Sequence, residues 1–326
     1  MPRIGITLGD ITGIGPEVAL KGVAAEAREA CFVLIGNARV IRHWNERLNL
    51  NLRFENFSQS DKNTPLSILD AGEEVLPEAL TPGAPEAARA AVRWLGQAAD
   101  LCLKHELQAV VTAPVNKEAI VRAGIPFVGQ TEFFTERAGV NRTVMMLLGH
   151  DERGRWLRVA LATAHIALRD VPVKLTAEKI ELAVERAAEA CRDLGLPRAR
   201  IAVSGLNPHC GEGGEFGDEE PRIVEPAIAA LRQRGMDVAG PISGDTVFHH
   251  ALLGEFDAVV AMYHDQGLAP LKTVAFDTGI NWTLGLPFIR TSPDHGTAYN
   301  IAGKGIANPS SMISAIRLAR KLAEGK

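Results

Sequence analysis

Cysteine is scarce. The chain holds four, Cys31, Cys102, Cys191 and Cys210, and none forms a Cys-x-x-Cys pair. That excludes a zinc knuckle and gives no disulfide framework. Scattered in this way they read as core thiols of a reducing compartment, so the expected location is the cytoplasm. Excess positive charge is also missing. Lys and Arg number 35 against 39 Asp and Glu, for a net charge of −4 at pH 7. Without a basic stripe, nucleic acid is excluded as a partner. No run approaches the ~18–20 apolar residues of a membrane span, so no membrane is expected either. The N-terminus has no long apolar region of the signal-peptide kind and enters a strand pattern directly. What remains is an ordinary globular composition, 46% hydrophobic and 23% charged. Its 326 residues are enough for two domains.

Short apolar runs alternate with helical patterns. Arg3–Leu8 predicts a strand, then a glycine loop and a helix over Pro16–Ala30, with Pro16 suited to a first helical position. Phe32–Ile35, Ala109–Thr112, Leu157–Thr163, Arg200–Ser204 and Ala258–Met262 are further predicted strands. Glu86–His105 and Thr176–Leu194 are predicted helices. The second has a Thr N-cap, apolar residues at helical spacing and Gly195 beyond its end. A last helix follows Pro309, with Met312, Ile313, Ile316 and Ala319 inward. Alternation of this kind gives an α/β fold with a mostly parallel sheet and flanking helices.

Three histidines, His165, His209 and His264, follow strand patterns directly. Open α/β sheets bind ligands beyond the carboxyl ends of their strands, so three imidazoles there would suit a divalent ion. They equally suit unrelated caps on strand ends, as His150, His249 and His250 near other element ends illustrate. His43 and His105 fall in helical patterns. Gly9–Glu17 follows a strand and opens a helix, so it is either an anion cradle or a tight turn. It lacks the third glycine of the dinucleotide fingerprint. Gly211–Gly217 is either a lid or a solvated loop. In Asp294–Pro309, small residues at Gly296, Thr297 and Ala298 let backbone approach a flat ring, with His295 beside it.

His295-Gly-Thr-Ala298 and Ile301–Pro309 resemble the adenosine-binding loop of isocitrate and isopropylmalate dehydrogenases. Across nearly the whole chain the sequence resembles the 4-hydroxythreonine-4-phosphate dehydrogenase family. The segments that carry this are Gly9–Glu17, Thr112–Lys117, Gly129–Phe134, Thr163–Asp170, Gly205–Gly214, Gly240–Thr246, Ala261–Gly267 and Asn281–Ala298.

The resemblance implies a two-domain isocitrate/isopropylmalate dehydrogenase-like fold with its active site in the interdomain cleft. Residues 1–133 and 268–326 would form the cofactor-binding domain, and 134–267 the dimerisation and metal domain. It implies His165, His209 and His264 as ligands of one divalent ion (zinc, magnesium, cobalt or manganese), one of them supplied across a homodimer interface. Gln130, Thr131, Lys272, Asn281 and Arg290 would bind substrate, with Asp245 and Asp265 near the metal and Asp265 or Lys272 as base. His295, Gly296, Thr297, Ala298 and Asn308 would bind NAD, the family's preference; Asn300 is neutral.

The implied reaction is oxidation of a secondary alcohol on a small anionic molecule. That molecule is 4-phosphohydroxy-L-threonine, decarboxylated afterwards on the way to pyridoxine. Alternatives are D-threonate or D-erythronate 4-phosphate, or a carboxylated cis-dihydrodiol such as that of terephthalate. A phosphate acyltransferase of the same broad fold would lack the His295–Pro309 loop, and a metal-stabilised binding protein would not reduce NAD. Two positions depart from the family pattern: Ile11 replaces a common proline, and Gln130 replaces a histidine. A neutral amide forgoes a charge-assisted bond to phosphate, on the order of 1 kcal/mol.

Overall fold

An uninterrupted apolar run makes a stable strand only when both of its faces are covered. In the computed structural model, which describes residues 1–60, 63–70, 76–77 and 80–325, these runs are so covered. The strands in the first half are β1 (Arg3–Thr7), β2 (Cys31–Ile35), β3 (Glu55–Asn56), β4 (Leu66–Leu69), β5 (Ala109–Thr112) and β6 (Val144–His150). They continue as β7 (Trp156–Leu161), β8 (Ile201–Ser204), β9 (Val238–Ile242), β10 (Ala258–Ala261), β11 (Ile280–Leu284) and β12 (Ile289–Pro293). The helices begin with α1 (Gly15–Glu26), α2 (Ala38–Arg47), α3 (Pro85–Leu103), α4 (Lys117–Arg122), α5 (Gln130–Arg137) and α6 (Val171–Lys174). They end with α7 (Ala177–Asp193), α8 (Glu225–Gln233), α9 (Val247–Leu252), α10 (His264–Ala275) and α11 (Ser310–Glu324). β1, β2, β5, β8 and β10 are buried along their whole length.

The chain divides into two compact units, Met1–Asn141 with Leu286–Lys326, and Arg142–Gly285. The first is therefore built from both ends of the chain, with edges at 141/142 and 285/286 rather than at 133/134 and 267/268. Local packing accounts for the shift. Phe134 on α5 meets Phe288 edge-on at 6.0 Å, which keeps α5 in the first unit. Helix α10 lies on β6, β7 and β10, which keeps it in the second. The first unit's strands run in the order β3-β4-β2-β1-β5-β12, all parallel. The second unit has the order β11-β6-β7-β10-β8-β9. Here β7, β10, β8 and β9 are parallel, and β6 is antiparallel to both β7 and β11. The expected α/β architecture, a mostly parallel sheet with flanking helices, is what the chain adopts.

Local signals act as read. Thr176 caps α7 by accepting from Lys179 N, and Gly195 closes it at φ +73°. Met312, Ile316 and Ala319 of α11 are buried, joined by Ala315, Leu318 and Leu322, whereas Ile313 is only half-buried. His105 is a terminator rather than a helical residue. It sits past the end of α3 at φ +56°, and the next amide, of Glu106, returns to Leu101 O at 2.9 Å. His43 is exposed on α2. Cys31, Cys102 and Cys191 are buried free thiols, and burial pushes Cys191 up to about 11. Cys210 is the exception, half-buried outside the core. Among the described residues no helix is long and apolar enough to cross a membrane.

Helix α10 presses hard on its sheet. A Cβ on Gly267 would lie 2.7 Å from Val159 Cγ1 and 3.0 Å from Leu161 Cδ2. Gly267→Val therefore overpacks the second unit and lowers its stability by about 1–3 kcal/mol. A lower urea midpoint with an unchanged slope is the expected reading.

Candidate active site

Because β7, β8 and β10 are parallel neighbours, their carboxyl ends share one edge of the second unit. His165 follows β7, and His264 opens α10 directly after β10, so it is a helix-start residue as much as a strand-end one. Their rings lie 5.6 Å apart, tilted by 42°. Two short links hold this spacing: Thr163 Oγ1 donates to Met262 O (2.6 Å) and Ala162 N to Ala261 O (2.9 Å). Gln266 extends the web to β8, accepting from Met262 N at 2.7 Å and donating to Gly205 O at 2.7 Å. Asp265 is exposed, with Oδ1 2.7 Å from His264 Nδ1. A carboxylate there favours the proton on Nδ1 and leaves Nε2 as the donor atom.

His209 follows β8 but does not join this pair. It stands exposed in a left-handed turn, with His209, Cys210, Gly211, Glu212 and Gly213 all at positive φ. Three of the five are not glycine, and each costs roughly 1–2 kcal/mol in that conformation. The buried Glu220 holds the turn's entry: Oε1 accepts from Leu206 N (2.8 Å) and Asn207 N (2.7 Å), and Oε2 from Asn207 Nδ2 (2.9 Å). The Gly211–Gly217 segment is thus an anchored turn at its start. His209 Nδ1 lies 2.7 Å from Glu212 Oε2. Asp245 is exposed near the same edge: after burial and Glu220, it is the next cause that raises the Cys210 thiol. Among the described residues, no three His, Cys, Asp or Glu side chains of one chain gather as a metal site. Lys272 is half-buried on α10. Asn281 is the second residue of β11, and its Oδ1 is buried with no hydrogen-bond partner among the described residues.

In the first unit the central group is Arg290, 2% exposed on β12. Its Nη2 donates to Thr112 Oγ1 (2.8 Å) and Gln130 Oε1 (3.0 Å), both neutral oxygens. Its guanidinium lies 5.7 Å from the Phe134 ring centre. Burial pulls its pKa down to about 10, against the pull of Glu132, so it stays cationic at neutral pH. Gln130 is engaged at both ends, because its Nε2 donates to Ala113 O at 3.2 Å. A neutral amide at position 130 thus avoids setting a second cation against the buried guanidinium. Sequence shows the missing charge there but not the arginine beside it. Thr131 is half-buried, and its carbonyl accepts from Thr135 Oγ1.

The Asp294–Pro309 loop lies in the same unit. Space beyond Gly296 is open, His295 Nδ1 lies 3.1 Å from Gly296 O, and Ala298 has φ +44°. Asn308 turns toward α11, its Oδ1 accepting from Ser310 N (3.0 Å) and Ser310 Oγ (2.7 Å). The Gly9–Glu17 loop takes the course of a tight turn, with four of its amides engaged within the protein. Asp10 N donates to Pro114 O, Thr12 N to Asp10 Oδ1, Gly13 N to Asp10 O and Ile14 N to Thr297 O. Sequence reasoning missed Asp10, Tyr299 and Glu220, whose partners are distant in the chain or, for Glu220, set by an irregular turn.

Residues 28–319 match the family described as "Pyridoxal phosphate biosynthetic protein PdxA". The chain belongs to the PdxA family. It is 46% identical to a 4-hydroxythreonine-4-phosphate dehydrogenase of Geobacter metallireducens, over 100% of this chain and 96% of that protein. A D-threonate 4-phosphate dehydrogenase of Cupriavidus necator is 40% identical, over 99% of this chain and 98% of that one. The solved 4-hydroxythreonine-4-phosphate dehydrogenase of Klebsiella pneumoniae superposes with a TM-score of 0.82 at 40% identity. The match covers 99% of this chain and all of that one, 100%. At 14% identity and a TM-score of 0.53, isocitrate dehydrogenase of Methylococcus capsulatus shares the fold alone. As a member of this family the chain is a dehydrogenase.

The depressed Arg290 pKa has a stability consequence. In the fold the guanidinium loses its proton near pH 10, and in the unfolded chain only at its higher ordinary value. Its penalty is therefore fully present below about pH 10 and is relieved as pH rises beyond it. The shift corresponds to a penalty on the order of 3 kcal/mol. Arg290→Met, of similar length and uncharged, is expected to hold or raise the melting temperature of the ligand-free protein at neutral pH. The same variant is expected to lose at least about a hundredfold in kcat/KM for an anionic substrate.

Proposed function

We propose that this PdxA-family chain oxidises the secondary alcohol of 4-phosphohydroxy-L-threonine with NAD and a divalent ion. Loss of CO₂ follows, on the route to pyridoxal phosphate. The observation that carries this reading is Arg290, a buried cation whose Nη2 acceptors are neutral, beside the open Asp294–Pro309 loop in the same unit. A desolvated guanidinium of this kind favours a phosphate or carboxylate as ligand. D-threonate 4-phosphate is the second reading, supported by the Cupriavidus relative's name; D-erythronate 4-phosphate and a carboxylated dihydrodiol rank behind it.

In this reading Arg290 and Thr131 hold the anionic group and Gln130 fixes Arg290 in place. Lys272 and Asn281 supply further polar contacts; the buried, unpartnered Oδ1 of Asn281 fits an acceptor for a ligand hydroxyl. His165 and His264 are the metal ligands of one chain, and His209 is the third, reaching a second copy, so the working form is a homodimer. Two imidazoles at 5.6 Å, one oriented by a carboxylate, fit the donor set of a borderline ion such as zinc, with cobalt, manganese or magnesium as alternatives. Asp265 orients His264, Asp245 lies at the same edge, and Lys272 is the candidate base. His295, Gly296, Thr297 and Ala298 receive the NAD adenosine, and Asn308 shapes the loop's end by capping α11. When bound, the ion supplies Lewis-acid stabilisation of the developing alkoxide and NAD takes the hydride. The buried free thiols suit the cytoplasm.

Spectrophotometric NADH formation with a panel of phosphorylated and carboxylated hydroxy acids tests the assignment. Failure to reduce NAD with any phosphorylated member refutes it. Subunit mixing tests the metal ligands. His209→Ala chains mixed with His264→Ala chains recover about a quarter of wild-type activity, whereas His165→Ala mixed with His264→Ala recovers none. Gln130→Glu preserves shape but sets a carboxylate on Arg290. KM for the phosphorylated substrate is expected to rise about ten- to a hundredfold with the melting temperature held.

A further inference from the structure

We propose that Asp10 and Tyr299 form a brace that fixes the backbone of the His295–Asn308 loop, making both positioning residues for the dinucleotide. The inference rests on reading that loop as the NAD site. Asp10 is a 2% exposed carboxylate, and the proposed chemistry gives it no role. Its Oδ2 accepts from Tyr299 OH at 2.5 Å, and its Oδ1 from Thr12 N (2.9 Å) and Thr12 Oγ1 (2.6 Å). Tyr299 oxygen in turn accepts from Asn116 Nδ2 at 2.8 Å. Two family segments without a chemical task, Gly9–Glu17 and Thr112–Lys117, thus converge on one tyrosine of the cofactor loop.

The backbone contacts run the same way. Ile14 N donates to Thr297 O at 2.9 Å, and a Cβ on Gly13 would lie 2.6 Å from that carbonyl oxygen. Gly9 adopts φ +64°, and a Cβ there would lie 2.3 Å from Pro114 O. A second clamp holds the far end of the loop. Glu17, fully buried, accepts from Ala307 N (2.7 Å) and Lys21 Nζ (2.7 Å), while Lys21 Nζ donates to Gly305 O and Ala307 O. Both ends are tied down and Gly296 is left exposed and open. Burial and the bond to Asp10 raise the Tyr299 phenol, which keeps its proton available to donate. A loop held in its binding shape before the ligand arrives binds more tightly, because less ordering is left for the binding step.

Calorimetric titration of NAD into the intact protein tests the brace, with zinc titrated separately as a control. Tyr299→Phe and Asp10→Asn should each weaken NAD about tenfold while zinc affinity stays at the wild-type value. The double variant should be no worse than the weaker single, because both remove one bond. In turnover, KM for NAD rises and kcat stays within about twofold. The proposal falls if Tyr299→Phe binds NAD as wild type does, or if zinc and NAD affinity drop together with the melting temperature. His295→Ala separates the brace from the reading beneath it. Unchanged NAD binding in His295→Ala overturns the site itself. Weakened binding there with normal binding in Tyr299→Phe overturns the brace alone.

Discussion

Parallel pairing is the constraint from which the placement of each candidate group follows. Strands that run the same way must all end at one edge, and each must leave by a loop whose backbone groups have lost their sheet partners. In the second unit that edge collects His165 after β7, His264 after β10 and the His209 turn after β8. In the first unit β1, β5 and β12 are parallel neighbours too. The Asp10 loop, the Ala113–Asn116 segment and the His295 loop are what follow them. The same rule therefore brings a pair of imidazoles together in one unit, with the His209 turn at the same edge, and a hydrogen-bonded loop cluster in the other.

What was legible in the sequence was what is decided within a few residues. The buried strands announced themselves as β-branched runs, and the α7 cap depends on a partner three residues away. The three strand-end histidines were visible for the same reason. Gln130 could be read as a lost charge, but its task is set by Arg290, which is 160 positions away. Asp10 lay inside a quoted motif, yet its meaning depends on Tyr299, 289 positions on. The antiparallel pairing of β6 with β7 and β11 also escaped the pattern of alternating strands and helices, because direction is fixed by distant neighbours. The left-handed course of Cys210 had no signal, since cysteine does not favour it, and the modest preference of histidine for that region is too weak to place His209 there.

In the proposed reading, Arg290 is where a site and a fold want different things. Packing favours an apolar side chain at a position 2% exposed, and burial depresses the basicity of the group that stands there. The residues around it temper the conflict without removing it: Thr112 and Gln130 accept its N–H groups and Phe134 lies beside the cation. Glu132 adds an electrostatic pull that favours the charged form.

The segment that anchors the His209 turn has a consequence for how the chain tolerates changes in length. Glu220–Val224 winds as a π-turn before α8 continues as an ordinary helix. Such a turn holds one residue more than α-helical winding does. Deleting one residue from 221–224 lets the segment relax to α with its flanks nearly in place, whereas adding one more, beyond what the π-turn takes up, rotates what precedes it by roughly 100° about the axis. Glu220 would then swing its carboxylate away from Leu206 and Asn207, leaving the turn without its three bonds. The stretch therefore tolerates shortening by one residue better than lengthening, because a further residue turns one carboxylate away from its partners.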